Sequence, residues 1–102
     1  MIVEFTGNAE CDLEHIADYI AQDNPRRALS FVQELRDKCE ALARRPFASP
    51  LVPRYEGHGI RRRVHGNYLI FYRVAEEEER TIILHILHGA MDYAAVLFEE
   101  GG

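Results

Sequence analysis

Three consecutive arginines, Arg61, Arg62 and Arg63, lie in the run Gly59 to Val64 (GIRRRV), whose make-up reads as a strand. Period-two geometry sends Arg61 and Arg63 to one face and Ile60, Arg62 and Val64 to the other. Because Ile60 and Val64 are apolar, they are expected on the core side, with Arg61 and Arg63 turned away from the helices. Arg73, Tyr72 and one of His85 or His88, from two later strand-like runs, are expected to join them on the open face of the sheet. Guanidinium forks match phosphate or carboxylate, and imidazole exchanges protons near neutral pH. Such a cluster could hold an RNA backbone or an acidic peptide, and could do acid-base work on RNA. The alternative is an ordinary solvated face.

Other chemistries find less support. The five histidines (His15, His58, His65, His85, His88) show no HxH or HExxH spacing. His85 and His88 are three apart on a strand and so face opposite ways, and no metal is expected. Asp12, Glu14 and Asp18 read as the solvated face of a helix. Gly57, Gly59, Gly66 and Gly89 read as turns, since no GxxxxGK pattern cradles a phosphate. No Ser-His-Asp arrangement is visible, and no cofactor is implied. Cys11 and Cys39 are too few for a disulfide scaffold and lack CxxC spacing, so both are expected as reduced core thiols of a cytoplasmic protein.

The elements that must position these residues follow from periodicity. Met1 to Phe5 reads as a short strand. From about Ala9 to Gln22, Leu13, Ile16, Ala17 and Ile20 form the apolar stripe of a helix, with Asn8 as its expected cap. Asp23-Asn24-Pro25 stops that helix and starts another, with Asn24 as cap and Pro25 in the first turn. Ala28, Val32, Leu35, Cys39 and Leu42 carry the second helix to about Arg45, which closes a two-helix hairpin. Three prolines within Pro46 to Pro53 forbid helix and predict an extended connector over the surface. Gly59 to Val64, Tyr68 to Val74 and Thr81 to His88 then form an antiparallel meander, the middle one central because both its faces are apolar. Asp92 to Phe98 is a final short helix. The whole is one α+β domain, 1–102, with an N-terminal strand, an antiparallel two-helix hairpin on one face of an antiparallel sheet, and a short C-terminal helix.

With 102 residues, 47% hydrophobic and 28% charged, this is one soluble domain's worth of chain. Its formal charge of -5 is unevenly spread. Arg44 to Arg73 holds seven arginines against a single acid, Glu56, for a net of +6; the other five cations and sixteen acids leave -11. Taken as a bulk number, -5 opposes generic nucleic-acid affinity, whereas the basic segment would suit a local anionic partner.

The segments DLEHIADYIAQDNPRRALSFVQEL, CEALARRP, GIRRRVHGNYLIFYRV and ILHILHGAMDY, in this order and spacing, resemble the ParE/RelE superfamily of toxins from bacterial toxin-antitoxin modules, specifically its ParE branch. The resemblance covers Phe5 to about Tyr93. It implies a toxin neutralised by a cognate ParD-like antitoxin encoded beside it, the pair forming a hetero-oligomer, with no membrane partner and no direct DNA binding without the antitoxin. For the ParE branch it implies inhibition of DNA gyrase and blocked replication. The RelE branch instead cuts mRNA on the ribosome, using basic residues and a Tyr or His near the C-terminus. Here Arg61, Arg63, Arg73, His85, His88 and Tyr93 are the available substitutes, and the RelE lysine set is missing. Gyrase inhibition without catalysis is therefore placed ahead of RNA cleavage. Arg61, Arg63 and Arg73, then Tyr72 and His85, are the expected contact residues. Where many ParE-like chains read RVLHGARD, this one has His85 and Met91 in place of arginine, which makes a weakened toxin retained for antitoxin binding conceivable. Leu97 and Phe98 are expected to be exposed until the antitoxin covers them.

Overall fold

The computed structural model describes residues 1–98. β1 spans Ile2–Phe5, and α1, Gly7–Ala21, follows at once. Thr6, not Asn8, caps α1: its backbone is extended and its Oγ1 accepts from the Ala9 N–H at 3.1 Å. The same hydroxyl reaches back to the carbonyls of Ile83 and Leu84 at 2.9 and 3.0 Å, so one side chain ends a strand, starts a helix and ties both to the sheet. Asn24 caps α2, Pro25–Ala41, by accepting from Arg27 N–H at 3.1 Å, with Pro25 in the first turn as expected. α2 ends four residues before Arg45, leaving Arg44 and Arg45 in the turn beyond it.

A single 3-10 turn at Glu56–His58 leads into β2, Ile60–His65. β3 is Tyr68–Ala75, β4 is Arg80–His88, and the short helix α3 is Tyr93–Leu97. The sheet order is β1-β4-β3-β2. β2, β3 and β4 form the expected antiparallel meander, with β3 and β4 inside. β1 adds parallel to β4, Ile2 opposite Arg80 through Phe5 opposite Ile83, so the sheet is mixed and not purely antiparallel. The helical hairpin carries the chain from β1 at one edge of the sheet to β2 at the other, and β3 and β4 then fill the space between them.

The proline-rich connector does more than cross the surface. Leu51 bridges to Arg61, with Val52 N–H donating to Ile60 O and Arg62 N–H to Pro50 O, so the connector shields the upper edge of β2. Val52 and Ser49 are buried in doing so.

Each face of the sheet buries apolar side chains. On the helix side Leu13, Ile16, Phe31, Leu35, Cys39 and Leu42 pack on Ile70, Tyr72, Ile83 and Ile86. On the other side Val52, Ile60, Phe71, Leu87 and Phe98 form a smaller cluster under α3.

Candidate functional site

Residues directly opposite in an antiparallel pair share a face. Arg61 lies opposite Tyr72, Arg63 opposite Ile70, and His65 opposite Tyr68. Tyr72 and Ile70 belong to the helix-side core, so Arg61 and Arg63 point toward the helices, the reverse of the expectation. The reason is the second cluster. α3 and the connector claim Ile60 on the far face, which the apolar pattern of β2 alone could not reveal.

The five expected contact residues consequently part company. Arg61 braces the connector: its Nη1 donates to Ser49 O at 2.7 Å and to Phe47 O at 3.4 Å, and its guanidinium lies 5.0 Å from the Phe47 ring centre. Arg63 is half-buried, and its Nε is buried with no hydrogen-bond partner among the described residues. Arg73 is exposed on the opposite face, beside Ile60 and Ile82. Tyr72 is wholly buried and donates its hydroxyl to Pro46 O at 2.7 Å, which removes it from any contact surface. His85 is not on the open face either, for its Nδ1 is 2.8 Å from Asp12 Oδ2.

That Asp12 oxygen also accepts the Ile86 N–H at 2.9 Å. β1 accompanies β4 only as far as Ile83, so Asp12 supplies the acceptor that a longer neighbouring strand would have offered. Asp12 is thus a half-buried structural group and not part of a solvated helix face. Cys11, expected in the core, is exposed, while Cys39 is buried and its thiol is pushed up to about 12 by desolvation. Both are free.

Arg62, which the strand pattern placed among core residues, lies on the α3 face and donates Nη1 to the Tyr93 hydroxyl at 2.8 Å. The two border a recess of about 460 Å³ with Arg54, Tyr55, Met91 and Asp92. Arg54 holds a left-handed φ of 73° there. Thirty-one residues separate Arg62 from Tyr93, and nothing local in the sequence joins them. Phe98 also departs from expectation: it is buried, its ring stacked on Tyr55 with centres 4.0 Å apart. A second, more apolar groove of about 590 Å³ runs between the hairpin tip and the β2-β3 turn, lined by Tyr19, Ile20, Arg27, Phe31, Tyr68 and His88. Burial against its surroundings pushes the Tyr68 phenol up. Arg27 of that groove also bonds Glu34, whose carboxyl is held below the ordinary range by hydrogen bonds from Arg27 and His65.

The ion pairs of the described residues are Arg27–Glu34, Arg36–Glu10, Arg80–Glu4, His65–Glu34 and His85–Asp12. None engages any of the seven arginines between positions 44 and 73. Among the described residues no three His, Cys, Asp or Glu side chains converge as metal ligands, and no helix is long and apolar enough to cross a membrane.

Two solved structures share this helical hairpin laid across a four-stranded sheet. One is from the chromosomal ParDE toxin-antitoxin system of P. aeruginosa, with a TM-score of 0.71 and 25% identity over 86% of this chain and 95% of that one. The other is from the toxin-antitoxin complex RelBE2 of Mycobacterium tuberculosis, with a TM-score of 0.58 and 25% identity over 85% of this chain and 95% of that one. Residues 3–93 match the family model described as ParE toxin of type II toxin-antitoxin system, parDE, and the chain belongs to that family. Among curated proteins nothing matches.

Proposed function

We propose that this chain is the toxin of a type II module, neutralised by a ParD-like antitoxin, and that it acts in the cytoplasm by inhibiting DNA gyrase without itself catalysing a reaction. The observation that carries the reading is the unmatched +6 segment: seven arginines with no carboxylate partner among the described residues. An acidic partner would neutralise it, and the two structural relatives come from toxin-antitoxin systems.

Gyrase is favoured over mRNA because the groups that RNA cleavage needs are occupied or dispersed. His85 faces Asp12, His88 Nδ1 accepts the Ala90 N–H, Arg61 is held by main-chain carbonyls, and Arg73 lies across the sheet from Arg63. A net charge of -5 also opposes long-range attraction to the ribosome. One observation favours a RelE-type ribonuclease as the second reading. The Arg62–Tyr93 pair beside its recess could hold a phosphate and set the Tyr93 hydroxyl against a ribose 2'-hydroxyl. His85 and Met91, standing where related chains carry arginine, keep open a toxin whose main activity is antitoxin binding.

Induction of the chain in bacteria carrying a reporter plasmid tests these readings. The proposal expects growth arrest, plasmid of reduced supercoiling and intact mRNA by primer extension. Cuts in codon register with normal supercoiling would establish the ribonuclease. Neither effect, with antitoxin binding retained, would establish the weakened toxin.

A further inference from the structure

We infer that the seam between α2 and β2 is a docking strip for one acidic segment of a protein partner, with Arg63 as the residue that reads its carboxylate. This rests on the reading of the chain as a toxin held by an acidic antitoxin, and it assigns that contact to one side of the molecule.

The seam is fixed at two points. His65 Nε2 meets Glu34 of α2 at 3.2 Å, and Arg61 at the other end of the strand reaches Ser49 O, beyond the end of α2. α2 therefore runs antiparallel to β2. Arg63 precedes His65 by two strand residues, roughly 6.6 Å, little more than the roughly 5.4 Å of one helical turn. One turn after Glu34 on the same helix face is Lys38, also half-buried. Lys38 and Arg63 thus fall at similar heights along the seam, and neither has an acidic partner among the described residues. Arg44 and Arg45 continue the positive strip past the helix end, both exposed.

Three neighbouring groups on this face of β2 are treated differently by the fold. His65 has Glu34 and Arg61 has two carbonyls, whereas the Nε of Arg63 is buried and unpaired. That Nε is closed to an incoming group, but the terminal nitrogens of the half-buried guanidinium have no partner among the described residues, and a carboxylate meeting them end-on would make charge-assisted bonds. A carboxylate on a peptide fits better than a nucleic-acid phosphate. Glu34, Asp37 and Glu40 lie on the same helix and would repel an extended polyanion, while a short acidic segment could meet the strip alone. Phe47, exposed beside Arg61, offers that segment an apolar contact at the strip's end.

The test uses the purified full chain and two fluorescent probes, a short synthetic peptide alternating glutamate and valine and an oligouridylate of equal charge, read by anisotropy. The peptide is expected to bind, with Arg63→Gln weakening it about tenfold, as loss of a charge-assisted bond should. Arg73→Gln, on the opposite face, should weaken it less than about twofold, as for an exposed charge. Lys38→Glu, a change on the helix that leaves the sheet untouched, should reproduce the Arg63 effect and carries the test if Arg63→Gln does not fold. Equal losses at Arg63, Lys38 and Arg73, or no binding, would overturn the assignment. Tighter binding of oligouridylate with the same dependence on Arg63 would also overturn it, in favour of a phosphate ligand. Because the titration involves neither gyrase nor growth, its failure leaves the proposed toxin activity to be judged on the plasmid and mRNA results.

Discussion

At the residue scale, the polar groups that matter most to the fold are those that replace missing ladder partners. Asp12 satisfies both Ile86 N–H and His85, so Asp12→Ala leaves a half-buried donor unmade. It should cost about 1–3 kcal/mol, and a melt followed by circular dichroism should fall by roughly 4–8 °C for each kcal/mol in a domain of this size. Tyr72→Phe removes a single hydroxyl bond to Pro46 O and should cost only about 0.5–1.5 kcal/mol. Glu34 gives a pH dependence of definite sign. Its carboxyl is lowered in the folded state, so the stability it contributes is full above the unfolded carboxyl value and is lost as pH falls through the lowered one. Glu34→Gln should therefore narrow the gap to wild type in acid melts while widening it near neutrality. The thiols offer a further check: a thiol reagent should titrate Cys11 rapidly in the native protein and Cys39 only after unfolding. Rapid modification of both would mean that Cys39 is not packed in the core. Arg61 and Arg63 were legible as a pair sharing a face, because alternation requires it. Which face they share was not, because that depends on α3 and the connector.

At the element scale, periodicity carried most of the architecture. The hairpin of α1 and α2, the Asn24-Pro25 restart and the three-strand meander all follow from local pattern. What escaped were long-range bonds. Thr6 rather than Asn8 begins α1 because its hydroxyl also reaches Ile83 and Leu84, seventy-seven and seventy-eight residues away in sequence. The parallel addition of β1 and the pairing of Leu51 with Arg61 are likewise tertiary choices. Thr6→Ala should cost about 1 kcal/mol from the lost cap alone, and more if the two carbonyl bonds contribute. α3 depends on Phe98, whose ring fills the space over Phe71 and against Tyr55. Phe98→Ala should cost up to about 3 kcal/mol, the lower end for a buried Phe, and should increase dye binding to exposed apolar surface. An unchanged melt would show that α3 does not cover the second cluster in solution.

At the scale of the whole molecule, the decisive property is polarity. A chain of -5 carries a +6 segment whose arginines are bonded to carbonyls, to a phenol or to nothing, but to no described carboxylate. That imbalance was legible in the sequence. The split of Arg61 and Arg63 from Arg62 was legible too, but the place of Arg73 on the Arg62 side was not, since it required the register of β2 on β3. Membership of the ParE family accounts for the architecture, and the unpaired cations are consistent with a protein that is stored against an acidic partner. The most direct measurement of the toxin's action is a titration of the purified chain into DNA gyrase acting on relaxed plasmid. The account predicts that supercoiling falls as toxin approaches stoichiometry with gyrase and returns when antitoxin is added. Undiminished supercoiling at excess toxin, from a preparation that still arrests growth and cuts mRNA, would contradict it.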